Sequence, residues 1–146
     1  MADAPPDFQQ YVKTSVIEGL KIERDVSLGA ACTVNQGLGE IPRYIGLDTK
    51  IDCGVHIAHY SANGSRNVIA GNADFRGSVT TGKDVFVGIN ATIVNGITLA
   101  DGCFVGAGAI VTWSYKSAVK LIALRAKPQK YDVEDSEIFI KCLCII

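Results

Sequence analysis

VFVGINATIVNGITLADGCFVGAGAIV, residues 85–111, returns to the same kind of residue every six positions. Val87, Ile93, Leu99, Val105 and Val111 mark the interval, and the next residue is small at Gly88, Ala100 and Gly106. Read backward from Val87, the register passes through Ile45, Ile51, Ile57, Ile69 and Phe75, and turns polar only at Asn63 and Thr81. An earlier register reads Val16, Ile22, Leu28 and Val34. Small or β-branched residues recur two positions before these guides, as at Val55, Ser61, Ala73, Val79, Val85 and Ala91. A period of six matches neither the 3.6 of a helix nor the wider strand spacing of a sandwich. It matches a parallel β-helix in which three hexads form three short faces, so that one coil takes about 18 residues and pairs with the next through parallel strands.

Guide residues then fill the prism together with the residue two before each of them, and the small residue after each guide turns the corner. It is small where a larger side chain would clash or where φ is positive. Asn63, Asn72, Asn90 and Asn95 are further corner candidates, because Asn tolerates the left-handed region. About five coils fit between residues 16 and 112. The division that follows is an N-terminal segment (1–15), the β-helix (16–112) and a C-terminal extension (113–146). Val34 to Ile45 spans 11 residues instead of 12, which predicts a loop over Gly37–Arg43. After Thr112 the chain is first basic, then acidic from Asp132, and ends apolar, the pattern of a capping tail or a short helix.

Composition agrees with strands. The 146 residues include 16 Ile and 14 Val against 8 Leu, with 15 Gly. Fourteen Lys and Arg against 15 Asp and Glu leave no cationic field for nucleic acid. Five cysteines (Cys32, Cys53, Cys103, Cys142, Cys144) form no C-x-x-C pair, against a disulfide framework or a structural zinc site. No apolar run is long enough to span a membrane, and the first residues carry no signal-peptide pattern, so the expected location is cytoplasmic.

Several stretches resemble the hexapeptide-repeat acyltransferases. Thr33-Val34-Asn35-Gln36-Gly37, Ile45-Gly46, Thr49-Lys50-Ile51-Asp52 and Val55-His56-Ile57-Ala58-His59 are similar to that family's T-I-D-R-G, I-G, T-K-I-D and V-x-I-A-H series. Residues 102–112 resemble its final coil, and Arg125-Ala126-Lys127-Pro128 its P-A-K-P exit. The local likeness is to UDP-3-O-acylglucosamine N-acyltransferases and nucleotide amino-sugar N-acetyltransferases. Asn35-Gln36 stand where the family has Asp-Arg, and Tyr60 where Asn commonly follows the histidine. The resemblance implies an all-β, left-handed parallel β-helix that works as a homotrimer with active sites between subunits. It implies acyl transfer from acyl-CoA or acyl carrier protein to the amine of a sugar or sugar nucleotide, with no tightly bound cofactor and no metal.

Such chemistry needs a base for the nucleophile and a donor for the oxyanion. His56 and His59, one before and two after Ile57, fall on outward positions of the hexad, and His59 is the expected general base. Eighteen residues on, Gly77 leaves room for a pantetheine arm and a backbone N–H; in the family a glycine one coil beyond the catalytic histidine donates to the thioester oxygen. The same spacing stacks Asp74 on His56 and puts Asn95 two coils from His59. Asp52 is expected to orient the His59 imidazole from a neighbouring corner or to hold substrate. Arg76 and Lys83 suit the phosphates of coenzyme A or an acidic carrier protein, and Ser61 and Ser78 offer hydroxyls. A zinc hydratase on the same prism wants three histidine ligands, and only two histidines exist. The competing reading is a non-catalytic trimeric β-helix serving assembly or interaction.

Overall fold

A computed structural model describes residues 20–35 and 43–123. Within them the chain makes 16 short strands and no helix. They form three wholly parallel sheets of five, six and five strands. The first sheet contains Leu20–Ile22, Arg43–Ile45, Ala62–Asn63, Thr80–Thr81 and Thr98–Leu99. The second contains Ser27–Leu28, Lys50–Ile51, Val68–Ile69, Phe86–Val87, Phe104–Val105 and Lys120–Leu121. The third contains Thr33–Val34, His56–Ile57, Asp74–Phe75, Thr92–Ile93 and Ile110–Val111. From Leu20 to Val111 successive strands belong to successive sheets, so the chain winds as a three-faced β-solenoid whose regular part makes about four turns.

Each coil is stitched to the next by backbone bonds, such as the His56 N–H to the Ala73 carbonyl at 3.0 Å and the Ala58 N–H to the Phe75 carbonyl at 2.8 Å. Ile57 faces Phe75, and Phe75 faces Ile93, 18 positions apart each time. Guides and the residues two before them are buried from Ile45 to Val111, as the hexad rule requires. Phe75, Val87, Ile93, Leu99 and Val105 are wholly enclosed. Each such side chain contributes roughly 1.5–3 kcal/mol of burial.

Four details differ from the sequence expectation. The positive-φ residue at a corner lies three after the guide, as at Asp48, Tyr60, Arg66, Asn72, Ser78 and Asn90, so Asn72 and Asn90 are corner residues and Asn95 is not of this type. The residue directly after the guide is small for steric reasons alone. A Cβ on Gly46 would lie 2.5 Å from the Gly64 carbonyl carbon, and one on Gly64 would overlap the Gly82 carbonyl oxygen.

Asn63 is no corner either, because it is 1% exposed and points into the prism, where its Oδ1 accepts from Thr81 Oγ1 at 3.2 Å. Asn67, which the hexad pattern passed over, joins the same buried network. Finally, Ile22 pairs with Ile45, 23 positions on, so the step from Val34 to Ile45 is one hexad plus five extra residues, not a shortened pair of hexads. Arg43 already belongs to a strand, and 36–42 lie outside the described residues.

Past Thr112, Tyr115 bridges Leu99, and Lys120–Leu121 adds a sixth strand to the second sheet. The N-terminal segment, the 125–128 exit and the acidic and apolar tail lie outside the described residues. No helix of the described residues is long and apolar enough to cross a membrane.

Candidate active site

The corner between the third and first sheets carries three stacked turns. After the guides Ile57, Phe75 and Ile93 come Ala58, Arg76 and Val94; then His59, Gly77 and Asn95; then Tyr60, Ser78 and Gly96 in the left-handed region. The turns are locked in register, because Ser78 N–H donates to the His59 carbonyl at 2.9 Å and Gly96 N–H to the Gly77 carbonyl at 2.9 Å. His59, Gly77 and Asn95 therefore form one column.

The His59 ring lies across Gly77. A Cβ on Gly77 would be 2.6 Å from Nε2 and 3.0 Å from Cε1. The space left by the missing side chain holds the imidazole itself, which buries Gly77 while His59 remains exposed. Tyr60 meets the ring edge-on, with centroids 5.4 Å apart and planes at 88°. Gly77 N–H has no backbone acceptor among the described residues. Imidazole nitrogen and unengaged amide thus share one corner, the pairing that base and oxyanion donor require.

Ser61 does not offer a hydroxyl to solvent. It is buried, donates from Oγ to the Arg76 carbonyl at 3.1 Å and accepts from Val79 N–H at 3.3 Å, pinning the turn that contains Gly77. Ser78 is exposed beside it. His56 faces outward from the third sheet, half-buried, with Asp74 as its register partner on the next strand. Asp74 Oδ2 is 3.0 Å from Arg76 Nε.

Asp52 and Lys83 are not brought to His59 within this chain. Asp52 sits at the corner between the second and third sheets, where its Oδ1 accepts from Cys53 N–H at 2.7 Å. Lys83 sits at the corner between the first and second sheets, its N–H donating to Asp101 Oδ1 at 2.8 Å. That corner also bears a groove of about 570 Å3 lined by Tyr44, Gly64, Thr80, Lys83 and Thr98, on the far edge of the first sheet from His59. The hexad gave no sign of this groove, because its floor is the column of corner glycines. Among the described residues no three metal-ligating side chains are gathered.

Residues 78–112 match the family described as the hexapeptide repeat of succinyl-transferase. With three parallel sheets on a six-residue period, the chain is a hexapeptide-repeat β-helix protein. It is 29% identical over 111 residues to the UDP-3-O-acylglucosamine N-acyltransferase of Albidiferax ferrireducens, covering 76% of this chain and 33% of that protein. To the enzyme of the same name from Methylobacillus flagellatus it is 34% identical over 119 residues, covering 82% and 34%. The chain spans about a third of the length of the curated relatives it matches. A solved structure of a histidine-to-asparagine variant of perosamine N-acetyltransferase from Caulobacter crescentus, with CoA and GDP-perosamine, shares the fold. Its TM-score is 0.59 at 21% identity, over 80% of this chain and 58% of that one.

Proposed function

We propose that the chain is an acyltransferase that moves an acyl group from a thioester to the amine of a sugar or sugar nucleotide, with His59 as general base. The observation that carries this reading is His59 Nε2 resting at Gly77, beside an amide N–H that has no backbone acceptor among the described residues. Relatives named as amino-sugar N-acyltransferases support the reaction class, and a fold neighbour holding CoA supports the donor class.

In the proposed step the acceptor amine attacks the thioester carbonyl carbon while His59 Nε2 takes its proton. Gly77 N–H stabilises the oxyanion. Collapse breaks the carbon–sulfur bond, and the imidazolium returns the proton to the leaving thiolate, giving amide and free thiol. Donor is acyl-CoA or acyl carrier protein, and no resident cofactor takes part. Asn95 and Ser78 share that corner, and His56 lies on the adjoining third sheet.

The working unit we propose is a homotrimer. Asp52 and Lys83 lie at the other two corners of the prism, so a role for either at His59 requires a neighbouring copy. The test is thiol release from acetyl- and longer acyl-CoA with a panel of amino-sugar nucleotides, each product weighed by mass spectrometry. Acceptor-dependent release with amide formation is expected. No release with any donor and acceptor, from a protein that sediments as a trimer, leaves the non-catalytic assembly instead.

A further inference from the structure

Among the ion pairs of the described residues, Asp74–Arg76 differs in how its acid is held. The Asp74 side chain is 26% exposed, against 38% for Glu23, 52% for Asp48 and 53% for Asp84 in the other pairs. One of its oxygens, Oδ2, engages Arg76 Nε at 3.0 Å. The other, Oδ1, is shut off from solvent and has no hydrogen-bond partner among the described residues. A shielded carboxylate oxygen without a donor costs more than a surface pair returns, so stability does not account for this arrangement.

The cation stands the other way. Its side chain is 57% exposed, and no partner engages Nη1 or Nη2 among the described residues. Its backbone is fixed on both sides, by N–H to the Ile93 carbonyl at 2.9 Å and by the Ser61 hydroxyl on its own carbonyl. Arg76 stands directly after its guide, between Ala58 and Val94 in its own column, at a position that the first–second corner fills with Gly46, Gly64, Gly82 and Ala100. The residue after it is Gly77, under His59. With Nε taken by a sunken carboxylate, the two terminal nitrogens form an outward bidentate edge, the geometry that suits phosphate oxygens.

We propose that Asp74 is a positioning residue, aiming Arg76 at the diphosphate of a substrate bound at the His59 corner. This rests on the acyl-transfer reading, in which both coenzyme A and a nucleotide-linked sugar carry that group. His56 is the register partner of Asp74 on the neighbouring strand of the third sheet.

The experiment is calorimetric titration of the full chain and of Arg76→Ala, Arg76→Lys, Asp74→Asn and Asp74→Glu with coenzyme A and with UDP- and GDP-linked amino sugars. Pantetheine and the free amino sugar serve as controls without diphosphate. Arg76→Ala is expected to weaken diphosphate ligands about ten- to a hundredfold and to leave the controls unchanged. Asp74→Asn is expected to weaken the same ligands about three- to tenfold, raising KM with kcat intact, with partial recovery in Asp74→Glu and little in Arg76→Lys. Whether the loss appears with coenzyme A or with the nucleotide sugar identifies the diphosphate concerned. Equal loss for ligands with and without diphosphate assigns Asp74 a merely structural role and overturns the proposal, as does wild-type affinity in Arg76→Ala. If wild type binds the controls but no diphosphate ligand, this subsite alone fails; if it binds none of the compounds, the acyl-transfer reading fails with it.

Discussion

His59 Nε2 lies 2.6 Å from where a β-carbon of residue 77 would stand, closer than a side chain there allows. The two residues are one coil apart, and the Ser78 N–H bond to the His59 carbonyl holds the coils in register. Imidazole placement is therefore conditional on residue 77 having no side chain.

Gly77→Ala tests that dependence. Gly77 lies outside the left-handed region, so alanine fits the backbone, and only the far end of the His59 side chain has to move. The expected result is a folded protein with an unchanged melting temperature and kcat/KM lower by about 10²-fold, the scale of an ångström-level misplacement. Steady-state kinetics beside a thermal melt measure both quantities, and full activity in the alanine variant breaks the link between ring position and rate.

Phe75 fills the prism beneath the same corner, stacked between Ile57 and Ile93 and fully enclosed. Phe75→Ala is expected to lower unfolding free energy by about 3–5 kcal/mol, as for other large-to-small core changes. Denaturant titration reads this directly, and a loss under about 1 kcal/mol means the coil collapses around the cavity.

Two buried asparagines of the same network are predicted to behave differently. Asn67 Oδ1 accepts from Val85 N–H at 2.8 Å, and its Nδ2 donates to Thr81 Oγ1 at 2.8 Å and to the Gly64 carbonyl at 3.2 Å. Asn63 accepts one bond, and its Nδ2 has no partner among the described residues. Asn67→Val is expected to cost about 3 kcal/mol or more, because it leaves buried partners unsatisfied, while Asn63→Val stays within about 1 kcal/mol of wild type. Equal losses in chemical denaturation contradict the assignment.

At the first–second corner, Arg66 binds Asp84 through two bonds, Nε to Oδ1 at 2.7 Å and Nη2 to Oδ2 at 2.6 Å. The Arg66 hydrogen bond holds the Asp84 carboxyl below its ordinary value, and Asp84 in turn raises Arg66. A carboxyl whose value is depressed on folding stabilises above its unfolded value, about 3.9, and that contribution disappears as pH falls through the folded one. Wild type is thus expected to melt higher than Asp84→Asn at pH 6, with the gap closing below pH 4. Salt also narrows the gap, since both groups face solvent. A gap of constant size from pH 6 to pH 3 refutes the pairing.

The prism was legible because its rule is local. Every sixth side chain, and the one two before it, must be buried for coils to stack, so Ile51, Ile69, Val87 and Val105 announce one sheet on their own. His59 and Gly77 followed from the same arithmetic, because 18 residues bring a residue back to its own column. The fate of the Gly77 void was not legible, since a spacing says which residues stack and not which rotamer fills the gap.

Asp52 and Lys83 stand at corners other than that of His59 for a related reason. Six residues change the corner, and within one chain the three corners face apart. Asn63 was misread and Asn67 passed over because composition assigns asparagine to turns, whereas here the interior supplies hydrogen-bond partners for both. Asp74 surfaced only as a neighbour of His56, since nothing in a sequence tells that one carboxylate oxygen is closed off from water.

The most direct test of acyl transfer at this corner is the single-turnover rate of thiol release from the preferred acyl-CoA and amino sugar, measured for wild type and His59→Ala. Loss of a general base predicts a rate about 10² to 10⁴ lower with donor affinity retained. Equal rates in the two proteins would contradict the role of His59 and, with it, the assignment of this corner as the site of chemistry.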